Sequence, residues 1–324
     1  MDTKKVILAG GSGFIGRALA GTLTRRGYQP VVLTRRPREA HDVFWDGRTG
    51  GPWIGELDGA HAIVNLTGRS VDCRYTAENR REILESRLRS VEVLGAAIAN
   101  LQRPPRVWVQ AGSLAILGDR GDERADETAR AGEGFSAEVC RRWESAFAAQ
   151  RLLHTRKVFL RLSFVLGREG GALPTLARLS RRFVGRIGAG RQYVSWVHAE
   201  DVNRIVLWTL ERDSVSGLYN ATSPGAVSND ELMTTLRAIQ GQRLAFPLPA
   251  WVVRVGSLLL RTEPELILSG RRGVPLRLEA EGFRFRFTDL SEALRDLLVA
   301  PRPTEHAARE PAPRPAVHQT AGRS

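Results

Sequence analysis

Three glycines, Gly10, Gly13 and Gly16, recur at every third position in "LAGGSGFIG". The first lets the chain turn sharply, the second lets backbone approach a pyrophosphate, and the third lets a helix pack closely on a strand. A helix opening at that turn adds unpaired N–H groups and the positive end of its dipole, which suits a phosphate. Farther on, Thr34, Arg35 and Arg36 stand where a reader of a ribose 2′-hydroxyl would carry Asp or Glu. A guanidinium there suits a 2′-phosphate, so these residues favour NADP(H) over NAD(H).

Groups that could move a proton are sparser. "QAGSLAILG" carries Ser113, whose hydroxyl can bond a substrate oxygen or serve only its own loop. "SWVHAEDV" carries His198 and Asp201 at an expected strand-to-helix junction, with Asp201 expected to cap the helix. Tyr75 lies in a loop after "NLTG", free to swing over a bound ring. Cys140 would need a lowered pKa to react. Cys73 and Cys140 lack zinc spacing, and the carboxylates of "GDRGDERADE" lack calcium-loop spacing, so no metal is expected.

The elements that must position these groups alternate along the chain. "KKVILAG" is an expected strand, and Ile15, Leu19 and Leu23 form one helical stripe before Gly27 and the strand "PVVLT". The strands "HAIVNLTG", "RVWVQAGS" and "KVFLRLSFVLG" then alternate with helices in "TAENRREILESRLRSVEVLGAAIAN" and "SAEVCRRWESAFAAQ". Strands and helices at this spacing predict an α/β chain, a Rossmann-type doubly wound parallel sheet, with a smaller, partly discontinuous C-terminal substrate domain. We expect the dinucleotide-binding domain over 1–166, with contributions from about 191–222, and the substrate domain mainly over 167–300. "GFRFRF" reads as a strand with Phe283, Phe285 and Phe287 on one face, and Asp289 with Glu292 as a capping pair. The Pro/Ala/Arg-rich segment 301–324 reads as a disordered tail.

Composition excludes several classes. The chain has 324 residues, a net charge of +13 and a mean hydropathy of -0.23. Its arginines are scattered, mostly in pairs among acidic residues and without an aromatic-interleaved stripe, so no nucleic-acid partner is expected. The apolar run "WVVRVGSLLL" is short and broken by Arg254, so no membrane span is expected. The N-terminal apolar run is too short for a signal peptide, and two distant cysteines fit a reducing, cytoplasmic compartment.

Taken together, "GGSGFIG", "NLTG", "REILESRLRS" and "RLSFVLGREGGALPTL" resemble an atypical extended short-chain dehydrogenase/reductase. "GRQYVSWVHAEDV", "LYNATSP" and "GFRFRF" are similar to later motifs of its nucleoside-diphosphate-sugar epimerase-like branch, which carries a short extra C-terminal domain. The resemblance runs from Lys4 to about Val299. It implies a nicotinamide dinucleotide held by Gly10, Gly13, Phe14, Ile15 and Gly16, with Thr34 and Arg35 at the adenosine phosphate. It also implies Leu66 and Thr67 along the dinucleotide, Glu82 and Arg87 facing its cleft, and Phe164 and Val165 at the nicotinamide end.

The chemistry of that superfamily uses a tyrosine with a lysine four residues on, whose ammonium lowers the phenol's pKa. Here the residues four after Tyr28, Tyr75, Tyr193 and Tyr219 are Val32, Asn79, Val197 and Ser223. The helix expected to carry the pair offers Ser136 and Cys140, and the "GYYG" typical of relatives is "AILG", with Ile116 and Leu117 aliphatic. Ser113, Tyr75 and His198 remain as catalytic candidates. Two functions stay open: an NADP(H)-binding, epimerase-like oxidoreductase with an improvised proton path, and a non-catalytic NADP(H)-binding redox sensor or scaffold. Retention of "GGALPTL" and "GRQYVSWVH" favours the enzyme. Its partner would be a small molecule, a sugar nucleotide or another carbonyl compound, and association with a second copy is left open.

Overall fold

The central strands are continuous apolar runs because both faces of their sheet are covered. The computed structural model describes residues 4–253, 255, 263 and 265–299. Strands β1 (Lys5–Ala9), β2 (Gln29–Thr34) and β3 (Asp42–Phe44) lie to one side, and β4 (Ala62–Asn65) pairs with the other edge of β1. Beyond β4 come β5 (Val107–Ser113), β7 (Arg156–Leu162) and β12 (Gly217–Ala221). All seven are parallel, in the order β12-β7-β5-β4-β1-β2-β3. The chain reverses its direction of growth at β1, so a crevice opens at the carboxyl ends of β1 and β4, where such sheets take ligands.

Strand periodicity sorts side chains into two cores. Val6, Leu8, Val64, Val109 and Leu160 face helix α1 (Phe14–Arg25), through Leu19 and Leu23, and helix α6 (Ala199–Glu211), through Ile205 and Leu210. Ile7, Ile63, Trp108 and Phe159 face the opposite way. They meet Val91 and Leu94 of α3 (Ala77–Ala99) and Trp143 and Phe147 of α4 (Phe135–Ala148). A third core joins Leu166 of β8 (Phe164–Leu166), Trp196 of β11 (Trp196–His198) and Leu232 of α7 (Asn229–Ile239) to Leu290 and Leu294 of the helix Leu290–Leu298.

Two local expectations are corrected. Residues 283–288 form no strand. Phe283 and Phe287 are buried and Arg284 is exposed, so the alternation holds, but the backbone N–H groups of Arg286 and Phe287 bond the Asp201 carboxylate at 2.8 and 3.0 Å instead of a neighbouring strand. Asp201 is therefore not the cap of α6. That place belongs to His198, whose Nδ1 accepts from the Glu200 N–H at 3.0 Å. Asp289 does cap its helix, accepting from the Glu292 N–H. The expected tail lies outside the described residues, among which no helix is long and apolar enough to cross a membrane.

Candidate functional site

The glycine turn between β1 and α1 separates glycines the fold itself requires from one it does not. Gly10 has a φ of +72°, and a Cβ on Gly16 would lie 2.2 Å from the Gly11 carbonyl oxygen. Gly13 is different: a Cβ there would meet nothing closer than the Gly10 carbonyl oxygen at 3.7 Å, and the residue is exposed. Its missing side chain leaves room for something outside the chain. Gly13 is also the N-cap of α1, which has neither a side-chain cap nor an acidic residue in its first turn. The helix thus presents uncompensated N–H groups and a positive dipole end.

These groups open into a cleft of about 550 Å³ along the carboxyl ends of β1, β2 and β4. Gly10 and Gly13 line it, together with Thr34 and Arg35 and with Leu66 and Thr67. Thr34 is buried and bonds the Ser12 hydroxyl at 3.1 Å, whereas Arg35 is exposed and forms no ion pair among the described residues. Thr67 lines the same cleft, and its Oγ1 is buried with no hydrogen-bond partner among the described residues. Free helix N–H groups, an unmatched guanidinium and an orphaned hydroxyl fit a phosphate-bearing dinucleotide. Glu82 also lines the cleft, paired with Arg69.

A second cavity, of about 180 Å³, lies at the carboxyl ends of β5 and β7. It takes in Ser113, Tyr75, Phe164 and Arg87 among the expected residues, together with Cys140 and Arg271. Ser113 ends β5 and accepts the Ala115 N–H at 3.1 Å, starting a short 3-10 turn. Tyr75 is buried with its ring 4.8 Å from Phe135, and its hydroxyl makes no full hydrogen bond among the described residues. Burial raises the phenol's pKa, against the nearby Ser136 hydroxyl. Burial likewise pushes the Cys140 thiol up to about 11, although the charge of Arg87 opposes it. Both groups are neutral at pH 7.

Other expected residues fall elsewhere. His198 lines neither cavity. It is stacked 4.0 Å from Phe287, its Nδ1 capping α6 and its Nε2 facing Asp296 at 3.4 Å, and burial lowers its pKa. In this position it packs against Phe287 and caps α6. Phe14, Ile15 and Gly16 supply the first turn of α1 without lining the cleft, and the Phe14 ring fills the space where side chains on Gly167 and Gly170 would stand. Val165 pairs with Val197 between β8 and β11, outside both cavities. Ile116 and Leu117 are buried in a small core with Ala125.

Sequence reasoning missed the polar support beneath the cleft. Asn65, at the end of β4, donates to Ser90 Oγ at 3.2 Å and Gln110 Oε1 at 2.9 Å, and its Oδ1 accepts the Thr67 N–H at 3.0 Å. All three side chains are buried, so this network fixes the turn that carries Thr67. A polar residue inside each of two apolar strands was the available signal. Arg271 was missed because it reads as one of many arginine pairs.

The NAD dependent epimerase/dehydratase family matches residues 6–221, and the domain of unknown function DUF1731 matches 248–297. The chain is 33% identical over 292 residues to the epimerase family protein ML0860 of Mycobacterium leprae, covering 89% of this chain and 94% of that one. It is similar to the crystal structure of human epimerase family protein SDR39U1 (isoform 2) with NADPH. There the TM-score is 0.81 and the identity 31%, over 90% of this chain and 98% of that one. A solved nucleoside-diphosphate sugar epimerase from Corynebacterium glutamicum gives a TM-score of 0.76 at 30% identity, over 92% of this chain and 58% of that one.

Proposed function

The chain belongs to the NAD dependent epimerase/dehydratase family, and on that premise we propose that it binds NADP(H) in the first cleft and offers a small carbonyl substrate to it in the second cavity. It would act as an NADP(H)-dependent, epimerase-like oxidoreductase. One observation carries this reading: the two cavities adjoin along α3, where Glu82 and Ser86 line the first and Ile83 and Arg87, one position on, line the second. NADPH in the human relative's structure supports the cofactor. We assign the dinucleotide-binding domain to 1–166 with contributions from about 191–222, the substrate domain mainly to 167–300, and the chain to the cytoplasm.

Gly10, Gly13 and the N–H groups opening α1 would hold the pyrophosphate, Thr34 and Arg35 the 2′-phosphate, and Leu66 and Thr67 the stretch between. When bound, the nicotinamide supplies or accepts a hydride. The chain's own residues set the proton path. None of its three lysines lines the second cavity; Lys157, for one, bonds the carbonyls that end α4. No ammonium therefore draws Tyr75 toward phenolate, and burial holds it protonated. As a phenol it can give a proton to a carbonyl oxygen, so the site favours reduction. Ser113 would orient that oxygen through its remaining O–H.

The missing lysine also favours a second reading, binding without turnover. Titration with NADPH and NADH, followed by fluorescence, and then single-turnover mixing with a panel of carbonyl compounds and sugar nucleotides separates them. Tight NADPH binding with oxidation by a panel member is expected. Binding without oxidation by any of them favours the sensor, and failure to bind either dinucleotide overturns both.

A further inference from the structure

Arg87 and Arg271 line one small cavity in which no carboxylate among the described residues meets them. Among the described residues each guanidinium donates a hydrogen bond only to a backbone carbonyl, Arg87 to Ile83 at 2.8 Å and Arg271 to Gly118 at 3.3 Å. Neither forms an ion pair with a carboxylate among those residues. Asp119 and Glu265 act on Arg271 only from a distance, and burial dominates, lowering the pKa of both arginines. The Cys140 thiol and Tyr75 phenol are neutral there, so neither is the counter-ion. Arg87 also lies over the Trp143 ring, 5.1 Å from its centroid, but two partly desolvated cations without a counter-ion among the described residues are unfavourable, and an anion entering with its own fork of oxygens relieves that.

The remaining lining sets the rest of the ligand. Leu114, Phe135, Val139 and Phe164 give an apolar wall, and the unpartnered Tyr75 hydroxyl, on a residue only 9% exposed, completes it. The volume of about 180 Å³ equals about six waters at liquid density. That volume suits a compact acid of a few carbons, whereas most of a nucleoside diphosphate would lie outside it.

We propose that this cavity recognises a short-chain oxo acid, its carboxylate held by Arg87 and Arg271, its aliphatic body against the apolar wall and its carbonyl oxygen toward Tyr75. The assignment rests on the proposed NADP(H)-dependent function and narrows its substrate class. It replaces the sugar nucleotide with a carboxylate.

The test is calorimetry of the full chain, with and without NADP+, against α-ketoisocaproate, its uncharged amide and inorganic phosphate. We expect the keto acid to bind roughly tenfold or more tightly than the amide, and Arg271→Met to abolish that preference while Arg271→Lys restores part of it. Circular dichroism establishes that the variants are folded, and should Arg271→Met not fold, the wild-type contrast between acid and amide decides alone. Equal binding of acid and amide, no binding of either, or tighter binding of phosphate overturns the proposal. Wild-type NADPH titration separates the two readings. If NADPH binds and the acid shows no preference, the oxo-acid assignment fails alone; if the acid binds and NADPH does not, the cofactor reading fails instead.

Discussion

The two cavities adjoin along one helix yet are built from opposite materials. The larger cleft is built around backbone: a glycine turn, the bare N-terminus of α1 and the turn at Thr67, fixed by the Asn65–Gln110–Ser90 network. The smaller is mostly side chain, with two arginines, a neutral thiol, a phenol and apolar rings gathered from distant segments. A site made of backbone is fixed by what cannot be there, and a site made of side chains by what is. The first is therefore tolerant of chemistry and intolerant of volume, and the second the reverse.

The largest expected effects probe volume at the glycine turn that carries the first cleft. Gly16→Ala places a Cβ 2.2 Å from a backbone oxygen, which backbone cannot easily relieve, so we expect a loss of about 3 kcal/mol or more in stability. Urea unfolding measures it. Gly13→Ala meets no such neighbour and should leave the unfolding midpoint nearly unchanged while weakening NADPH binding about tenfold or more. If both variants lose stability alike, the distinction between fold-required and ligand-required glycines is wrong.

In the second cavity a single atom should matter without changing the fold. Tyr75→Phe removes the expected proton donor, and turnover of any substrate found should fall about 100-fold. The same change removes a buried hydroxyl without a full partner, so stability should hold or rise by about 1 kcal/mol. Turnover unchanged in Tyr75→Phe would return the role to Ser113. Charge at the rim of the first cleft comes next. Arg35→Ala should cut the preference for NADPH over NADH by about tenfold, equivalent to 1.4 kcal/mol, read by paired fluorescence titrations.

The smallest effect lies away from both cavities. Burial lowers the pKa of His198 in the folded protein, so below its unfolded value of about 6.5 the unfolded chain binds the extra proton. Stability from this group is present above that pH and is lost as pH falls toward the folded pKa. His198→Asn keeps a capping side chain for α6 and should flatten the decline in urea midpoint between about pH 7 and pH 5.5. An unchanged slope would place the titration elsewhere, with the half-buried His61 the next candidate.

Legibility followed the same division. Glycine spacing, apolar runs and the stripe Ile15, Leu19 and Leu23 disclosed β1, α1 and the parallel sheet, because local sterics and periodicity leave few alternatives for such segments. They also put Gly10, Gly13, Thr34 and Arg35 at one end of the sheet, since a βαβ unit sets the ends of its two parallel strands side by side. "GFRFRF" misled because alternation records burial, not hydrogen bonding; Asp201, some 85 positions earlier, supplied the acceptors a strand would have needed.

By itself the sequence determined a doubly wound sheet, a glycine turn opening a helix and the lack of a tyrosine followed four residues on by lysine, all properties of residue type over short spans. Only the tertiary structure decided that His198 is a cap, that Tyr75 and Ser113 share a cavity, and that Arg271 joins Arg87 there. Those outcomes depend on long-range packing, which brings together residues from α3, β5 and the segment after 265, and no local pattern encodes which distant side chains will share one small volume.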